Sequence, residues 1–427
     1  MKIDIKDFGS GVELGIVRTE KFKTNYFVLS FVLPRTKETV ANVKVLSNVL
    51  SRGTENYPTM RDISIRLSDL YDVSVNIFSQ GIDSVLVFKV SVGFIDDRFI
   101  PDTDGVNVCE GAIDFIRELL FRPLLENGSF KSEYVESERA RCIDRINAEK
   151  NNKDSYAYTR AMSFACEGTP LQYNSNGAMD AVKLLTNESL LNTLDDILNC
   201  GRVIAFFAGR DTDENMEKVN SLLSELAEKR DGDFNAEPIE PVELPRLGGK
   251  EIIESVKAKQ GRMVLTYHIP KLEKEDMSYV VFNEIFGGSP VSRLFTNVRE
   301  RLSLCYYCSS NTSKGHSLLT IRSGLEKANR QKAIDEIERQ LHLLADPENI
   351  DDDEISAAKK AALNNLSSLG DSTGEYANWY TIRRLIDADT DIDTVEKAIN
   401  AVTKEDVAKI AAGTVLQLNY FLDGTEK

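Results

Sequence analysis

Arg299 and Tyr306 stand seven residues apart in the stretch F-G-G-S-P-V-S-R-L-F-T-N-V-R-E-R-L-S-L-C-Y-Y, Phe286 to Tyr307. A guanidinium and a phenol that converge can hold a peptide carbonyl or stabilise an oxyanion. The competing reading is a surface charge and a core aromatic. Gly287-Gly288-Ser289-Pro290 reads as a turn that lets the backbone come close to another group. Apolar residues at Val291, Leu294, Phe295, Val298 and Leu302 have helical spacing, and residues 304–308 read as a strand. Arg299 is thus expected late on a helix and Tyr306 on the strand that follows. Cys305 and Cys308 form a C-x-x-C, but positions three apart on a strand face opposite sides. A redox or metal pair is therefore not expected there, and no second pair completes a zinc site.

The elements around this stretch repeat along the chain. In the first half, residues 26–33 (Y-F-V-L-S-F-V-L) read as a buried strand ended by Pro34. A helix over 37–51 carries Val40, Val43, Leu46, Val49 and Leu50 on one stripe, and Gly53-Thr54 closes it. A helix starting at Thr59, two strands joined across Gln80-Gly81, helices over 112–121, 134–148 and 184–198, a strand over 203–208 and a helix over 216–226 follow. Residues 231–250 hold Pro238, Pro241, Pro245 and Gly248-Gly249 among acidic residues, which marks a linker. The second half then reads strand 263–269, helix 276–286, the Arg299/Tyr306 stretch, strand 318–322, helices 333–344, 354–369 and 379–386, a capped helix 403–411 and strand 416–422. Trp379 and Tyr380 are expected to pack in a core or between domains, with a partner interface as the alternative. Asp371-Ser372 follows Asp154-Ser155 by 217 residues, and Thr403 follows Thr186 by the same 217. The economical reading is an α+β fold of two homologous domains, 1–230 and 251–427, joined by the linker 231–250. Each is expected to be a mixed or antiparallel sheet with helices packed on one face.

With 68 acidic and 52 basic residues the net charge is −16, which argues against nucleic acid or an anionic membrane as the main partner. No run is long enough for a membrane span, and the first residues carry no apolar signal-peptide core. Six cysteines scattered over 427 residues fit reduced, cytoplasmic usage. Gly287-Gly288 lacks the phosphate-loop pattern, and no G-x-S-x-G is present.

The order of elements, together with G-G-S-P-x-S-R-L-F and R-E-x-x-x-L-x-Y, resembles the pitrilysin/insulinase family of zinc peptidases, which includes the mitochondrial processing peptidase. The resemblance covers nearly the whole chain. It implies units that close around a chamber for an unfolded peptide, with Arg299 and Tyr306 contacting the peptide backbone or the tetrahedral intermediate. Active members carry H-x-x-E-H on the first helix, about six residues before Gly-Thr. Here Lys44 and Asn48 fall at the histidine positions and Ser47 at the glutamate, on a helix face opposite the apolar stripe. The third ligand position, a Glu in active members, matches Arg145, or Glu149 if the register slips one turn. Lys44 would repel zinc, and neither Ser47 nor Asn48 can take up a water proton. The only histidines are His268, His316 and His342, with no two at ligand spacing. No metal or cofactor is expected.

The resemblance then implies the substrate-binding subunit of a heterodimeric peptidase, as in two-subunit bacterial members, with a homologous zinc-bearing partner that carries H-x-x-E-H. The alternative is a peptide-binding or scaffold protein of the same fold without peptidase action.

Overall fold

The computed structural model describes residues 3–101, 105–231, 234 and 237–425. Its strands are β1 (Asp4–Gly9), β2 (Val12–Arg18), β3 (Thr24–Pro34), β4 (Ser74–Ile82), β5 (Val85–Ile95), the short hairpin β6 (Leu125–Glu126) and β7 (Ser129–Phe130), β8 (Arg202–Gly209), β9 (Lys250–Val256), β10 (Gly261–His268), β11 (Tyr307–Ser313), β12 (Leu318–Leu325) and β13 (Val415–Gly424). They form one sheet in the order β1-β2-β8-β3-β5-β4 and another in the order β11-β12-β10-β13-β9. From the far end, the second order is β9-β13-β10-β12-β11, matching β2-β8-β3-β5-β4 strand for strand. In each sheet a single parallel pair, β2 with β8 and β13 with β9, occupies the same place. The fold is α+β, with the sheet plan used twice.

Fully apolar runs make the central strands. Every residue of β8 is buried, and Phe27, Leu29, Phe31, Phe88, Val90 and Phe207 join the first core. The Lys37–Leu50 helix starts on an N-cap at Thr36 and buries Val40, Val43, Leu46 and Val49. Capping boxes, in which side chain and backbone satisfy each other's orphan donors, start the helices at Thr59, Thr186 and Thr403. Thr186 and Thr403, 217 residues apart, therefore do the same job in both halves. The expected helix over 184–198 is in fact two, Met179–Leu184 and Asn187–Leu198, with Thr186 opening the second. The β4–β5 turn lies at Asp83, φ +46°, rather than at Gln80-Gly81; Asp tolerates the left-handed region through local hydrogen bonding.

Packing sorts the chain into two units that are not two continuous stretches. One contains the chain up to Asn147, with Tyr173–Ile239 and Ser372–Thr390. The other contains Ala148–Gln172, Glu240–Asp371 and the chain from Asp391 on. Each unit thus includes a helix from the other half of the sequence, and each of these helices starts at or beside Asp154-Ser155 or Asp371-Ser372.

In the first unit the Thr373–Leu385 helix packs on β8 and β3. Tyr380 is fully buried, 5.2 Å from Phe206, and Tyr376 meets the same ring edge-on. Gly15 makes room: a Cβ there would lie 2.5 Å from the Tyr380 ring. Arg384 donates from Nε and Nη2 to Glu13 at 2.8 and 2.7 Å, and Arg202 adds contacts at 3.3 Å. Trp379 stacks on Tyr376 at 5.5 Å.

In the second unit the Lys153–Ala165 helix packs on β10 and β13. Ala157, Ala161 and Ala165, four apart, put a smooth face against Val264, Leu418, Tyr420 and Leu422. Arg160 grips Glu254 at 3.0 and 2.5 Å, and the Tyr420 hydroxyl donates to the same carboxylate at 2.6 Å. Both helices are therefore held by an apolar face plus a forked arginine–glutamate pair.

Two outcomes are expected. Glu13→Ala leaves two guanidiniums facing no carboxylate and should cost about 3 kcal/mol in denaturant unfolding, the scale for removing one partner of a buried pair. Lys89, buried on β5 with its ammonium on Asn378 at 2.8 Å, has its pKa pulled by burial from 10.5 to about 8. The unfolded chain then binds more protons between those two values, so this penalty is complete below about pH 8 and is relieved as pH rises toward 10.5. Lys89→Met should stabilise the protein at neutral pH, by at most about 3 kcal/mol. That advantage over wild type should shrink across this window when unfolding is measured as a function of pH.

Candidate functional site

The Arg299/Tyr306 stretch folds differently from its apolar spacing. The helix Ser278–Asn283 widens into a π-helical turn over Glu284–Gly288, and a second π-helical segment runs Leu294–Arg301. Leu302 N–H donates to the Asn297 carbonyl five residues back, at 3.1 Å. This wider bonding changes the angular period. Leu294 and Val298 are buried, whereas Val291 and Leu302 at the ends of the expected stripe are 76% and 45% exposed. Such segments recur at functional sites. Gly287 does permit a close approach, but to strand β11: a Cβ there would lie 2.6 Å from Ser310 Oγ and 2.8 Å from Ser310 N. Arg293 fixes the segment through two 2.7 Å bonds to Glu354 and one of 2.6 Å to the Asn349 carbonyl.

Arg299 is exposed, and its guanidinium lies over the Phe295 ring at 4.6 Å. Among the described residues it forms no salt bridge. The strand begins at Tyr307, not at Leu304, because Ser303 takes a left-handed φ of +49° and turns the chain first. Tyr306 therefore precedes the strand. Its N–H donates to the Gly324 carbonyl at 2.8 Å, its side chain is 53% exposed, and its hydroxyl reaches Glu326 at 3.5 Å. Beyond it runs β11, the edge of its sheet, with exposed Ser309 and Asn311 and one open row of backbone groups. An open cleft of about 620 Å³ beside the π-helical segment is lined by Asn297, Arg301, Arg339 and Glu354, and neither Arg299 nor Tyr306 faces it.

The neighbour of Tyr306 was not foreseen as a partner of anything. Tyr307 donates to Asp154, which also pairs with Arg262 Nε at 2.8 Å. Asp154 is the first residue of a 217-residue anchor, and sequence alone could not say what it would meet. The expectation that Cys305 and Cys308 face opposite sides of a strand is corrected too. Cys305 lies ahead of the strand, so alternation does not govern it, and its thiol shares a hydrogen bond with that of Cys308.

The positions matching the zinc motif lie on the Lys37–Leu50 and Ser132–Ala148 helices, and the structure brings Lys44 and Arg145 within electrostatic reach of each other and of Cys142. Burial first, and then the Arg145 guanidinium, push Lys44 below the usual lysine range. Burial raises Cys142, and the two cations pull it back. Ser47 is not on an open face: it is buried and donates to its own helix at Val43 O, 2.6 Å. Asn48 buries an amide nitrogen with no acceptor. Glu149 falls past the helix end, in the turn Glu149–Asn151, and accepts from Thr159 at 3.5 Å. Two cations, an amide and a self-bonded hydroxyl do not fit a divalent cation. Elsewhere, His268 is half-buried on β10 with its pKa lowered by burial, His316 pairs Nδ1 with Ser313 Oγ at 2.9 Å, and His342 closes the Arg330–Leu344 helix. Among the described residues no three His, Cys, Asp or Glu side chains cluster as a metal site, and no helix is long and apolar enough to cross a membrane.

Residues 185–362 match the family described as the peptidase M16 inactive domain. The chain is 28% identical to the probable inactive metalloprotease YmfF of Bacillus subtilis over 434 residues, covering 99% of this chain and 98% of that protein. The crystal structure of a conserved protein from Enterococcus faecalis superposes with a TM-score of 0.85 at 26% identity, over 100% of this chain and 99% of that one. A peptidase M16 inactive domain from Pseudomonas fluorescens gives 0.81 at 14% identity, covering 100% and 99%, a likeness of fold alone.

The cation at Arg145 should weaken any metal site rebuilt beside Lys44. Lys44→His/Asn48→His with Arg145 retained should bind zinc roughly 10–100-fold more weakly than the same variant with Arg145→Gln, the scale on which ligand surroundings tune metal sites. Titration calorimetry reads the difference.

Proposed function

As a homologue of the M16 metallopeptidases that lacks the zinc motif, this chain, we propose, serves as the substrate-binding subunit of a two-chain peptidase whose other subunit carries H-x-x-E-H. The observation that carries this reading is the exposure of Arg299 and Tyr306 at the head of an open sheet edge. Arg293, six residues before Arg299, is fully engaged with Glu354 and Asn349. Arg299 rests only on an aromatic face, so its N–H donors remain available. A peptide laid along β11 would pair with its open backbone groups, bringing a carbonyl toward the guanidinium and phenol. There the two donors hold the carbonyl oxygen and stabilise the negative charge that develops on it. The partner supplies the metal chemistry, which the Lys44/Arg145 pair precludes here.

The test begins with a pull-down from native lysate, identifying what co-purifies. A homologous chain bearing H-x-x-E-H in equal amount is the expected result. The purified pair should then cleave peptides, and Arg299→Ala should lower kcat/KM by roughly 10²–10³, the scale for losing one oxyanion donor. An active pair left unchanged by Arg299→Ala would refute the role of this residue. Peptide binding by the chain with no partner present, and no cleavage with one, would instead establish the scaffold reading.

A further inference from the structure

Cys109, Cys142, Cys166, Cys200 and Cys308 are buried, and Cys305 alone among the cysteines is half-exposed. It stands in the irregular segment between the π-helical Leu294–Arg301 and β11, after the left-handed turn at Ser303. That turn brings its thiol back onto the Cys308 thiol, one residue into the strand, and the two share a hydrogen bond. Ser323 on β12 stands beside the same pair with its hydroxyl donating to the Tyr307 carbonyl at 2.9 Å, and the Arg299 guanidinium lies close enough to act on Cys305 electrostatically. We propose that Cys305 and Cys308 are a thiol-modification site, a dithiol that closes to an internal disulfide by exchange with a small-molecule disulfide.

The surroundings assign the order of events. The hydrogen bond from Cys308, with the neighbouring Ser323 hydroxyl and the Arg299 charge, holds the Cys305 thiol below its ordinary pKa despite burial. The shared hydrogen bond and complete burial hold Cys308 above its own. Cys305 is thus the attacking thiolate, since nucleophilic cysteines sit in partly exposed, electropositive surroundings. Its sulfur attacks one sulfur of the small disulfide, that S–S bond breaks, and one small thiolate leaves. Cys308 then gives its proton to solvent and attacks the Cys305 sulfur, expelling the second small thiol. Two protein thiols are oxidised to one disulfide, and the small disulfide is reduced to two thiols. Tyr306 lies between the two cysteines, so closure would restrain the residue whose side chain projects at the sheet edge. The proposal is independent of whether that side chain binds peptide.

The full-length chain, equilibrated over a series of oxidised-to-reduced glutathione ratios and then acid-quenched, tests this. The tryptic peptide Leu302–Lys314 contains Cys305 and Cys308 and no other cysteine. The expected result is loss of two hydrogens from that peptide in wild type. Cys308→Ser should carry one glutathione on Cys305, and Cys305→Ser should leave the peptide unmodified. Full retention of all six thiols across the series, prior modification of any other cysteine, or a stable glutathione adduct on wild-type Cys305 without closure would each overturn the proposal. Should Cys305→Ser fail to fold, alkylation of wild type with limiting iodoacetamide decides: Cys305 reacting first is expected, and another cysteine reacting first overturns it.

Discussion

Two forked arginine–glutamate pairs, Arg384 with Glu13 and Arg160 with Glu254, hold together what the chain order would keep apart. Each ties a helix to a sheet built from the other half of the sequence. The apolar contacts around them are non-directional; they favour a helix on the sheet without fixing its position along the axis. A planar guanidinium reading a carboxylate with two parallel bonds supplies that register. Around Glu13 the sheet makes room through Gly15, and Tyr380 fills the space. Around Glu254 the helix is pared to alanines, and Tyr420 completes the carboxylate. The two units solve one problem with the same ionic device and opposite distributions of bulk.

The same economy explains the two candidate sites. Where a metal-binding relative needs neutral imidazoles and a carboxylate, this chain places Lys44 and Arg145 within reach of each other. Their repulsion is tolerable because Arg145 is exposed and Lys44 only half-buried, so water screens it. The Arg299 region shows the opposite condition. Arg293 is paired with Glu354 and Arg339 with Glu336, while Arg299 is left over an aromatic ring.

Much of this was legible in the sequence. Buried strands such as β8 announce themselves as unbroken apolar runs, and the capping box at Thr403 follows from local hydrogen bonding alone. Outer strands were less so: β1 and β9 are mostly exposed or half-buried and carry no apolar run. The Lys153–Ala165 helix was missed because its buried face is alanine, which has little hydrophobic contrast. Around the site, apolar residues four apart satisfy an α-helix and a π-helical segment alike, so Leu294 and Val298 could not distinguish them. The C-x-x-C failed for a different reason. Strand alternation was applied to Cys305, a residue still in a turn, and a serine at positive φ gives no warning in sequence.

The exchange of helices also bears on how the molecule is made. Strands β1 to β8 all precede the linker in sequence, yet the Phe206 face of β8 and β3 stays uncovered until residues 372–390 appear. The first unit is therefore among the last parts of the protein to be finished, despite beginning at the amino terminus. Its closing contact, Glu13 to Arg384, spans 371 residues. Long-range closures of this kind are entropically costly and slow, and leave apolar sheet open meanwhile. Order of synthesis and order of folding are thus uncoupled in this chain, and a nascent polypeptide halted at the linker carries a sheet with one face still uncovered.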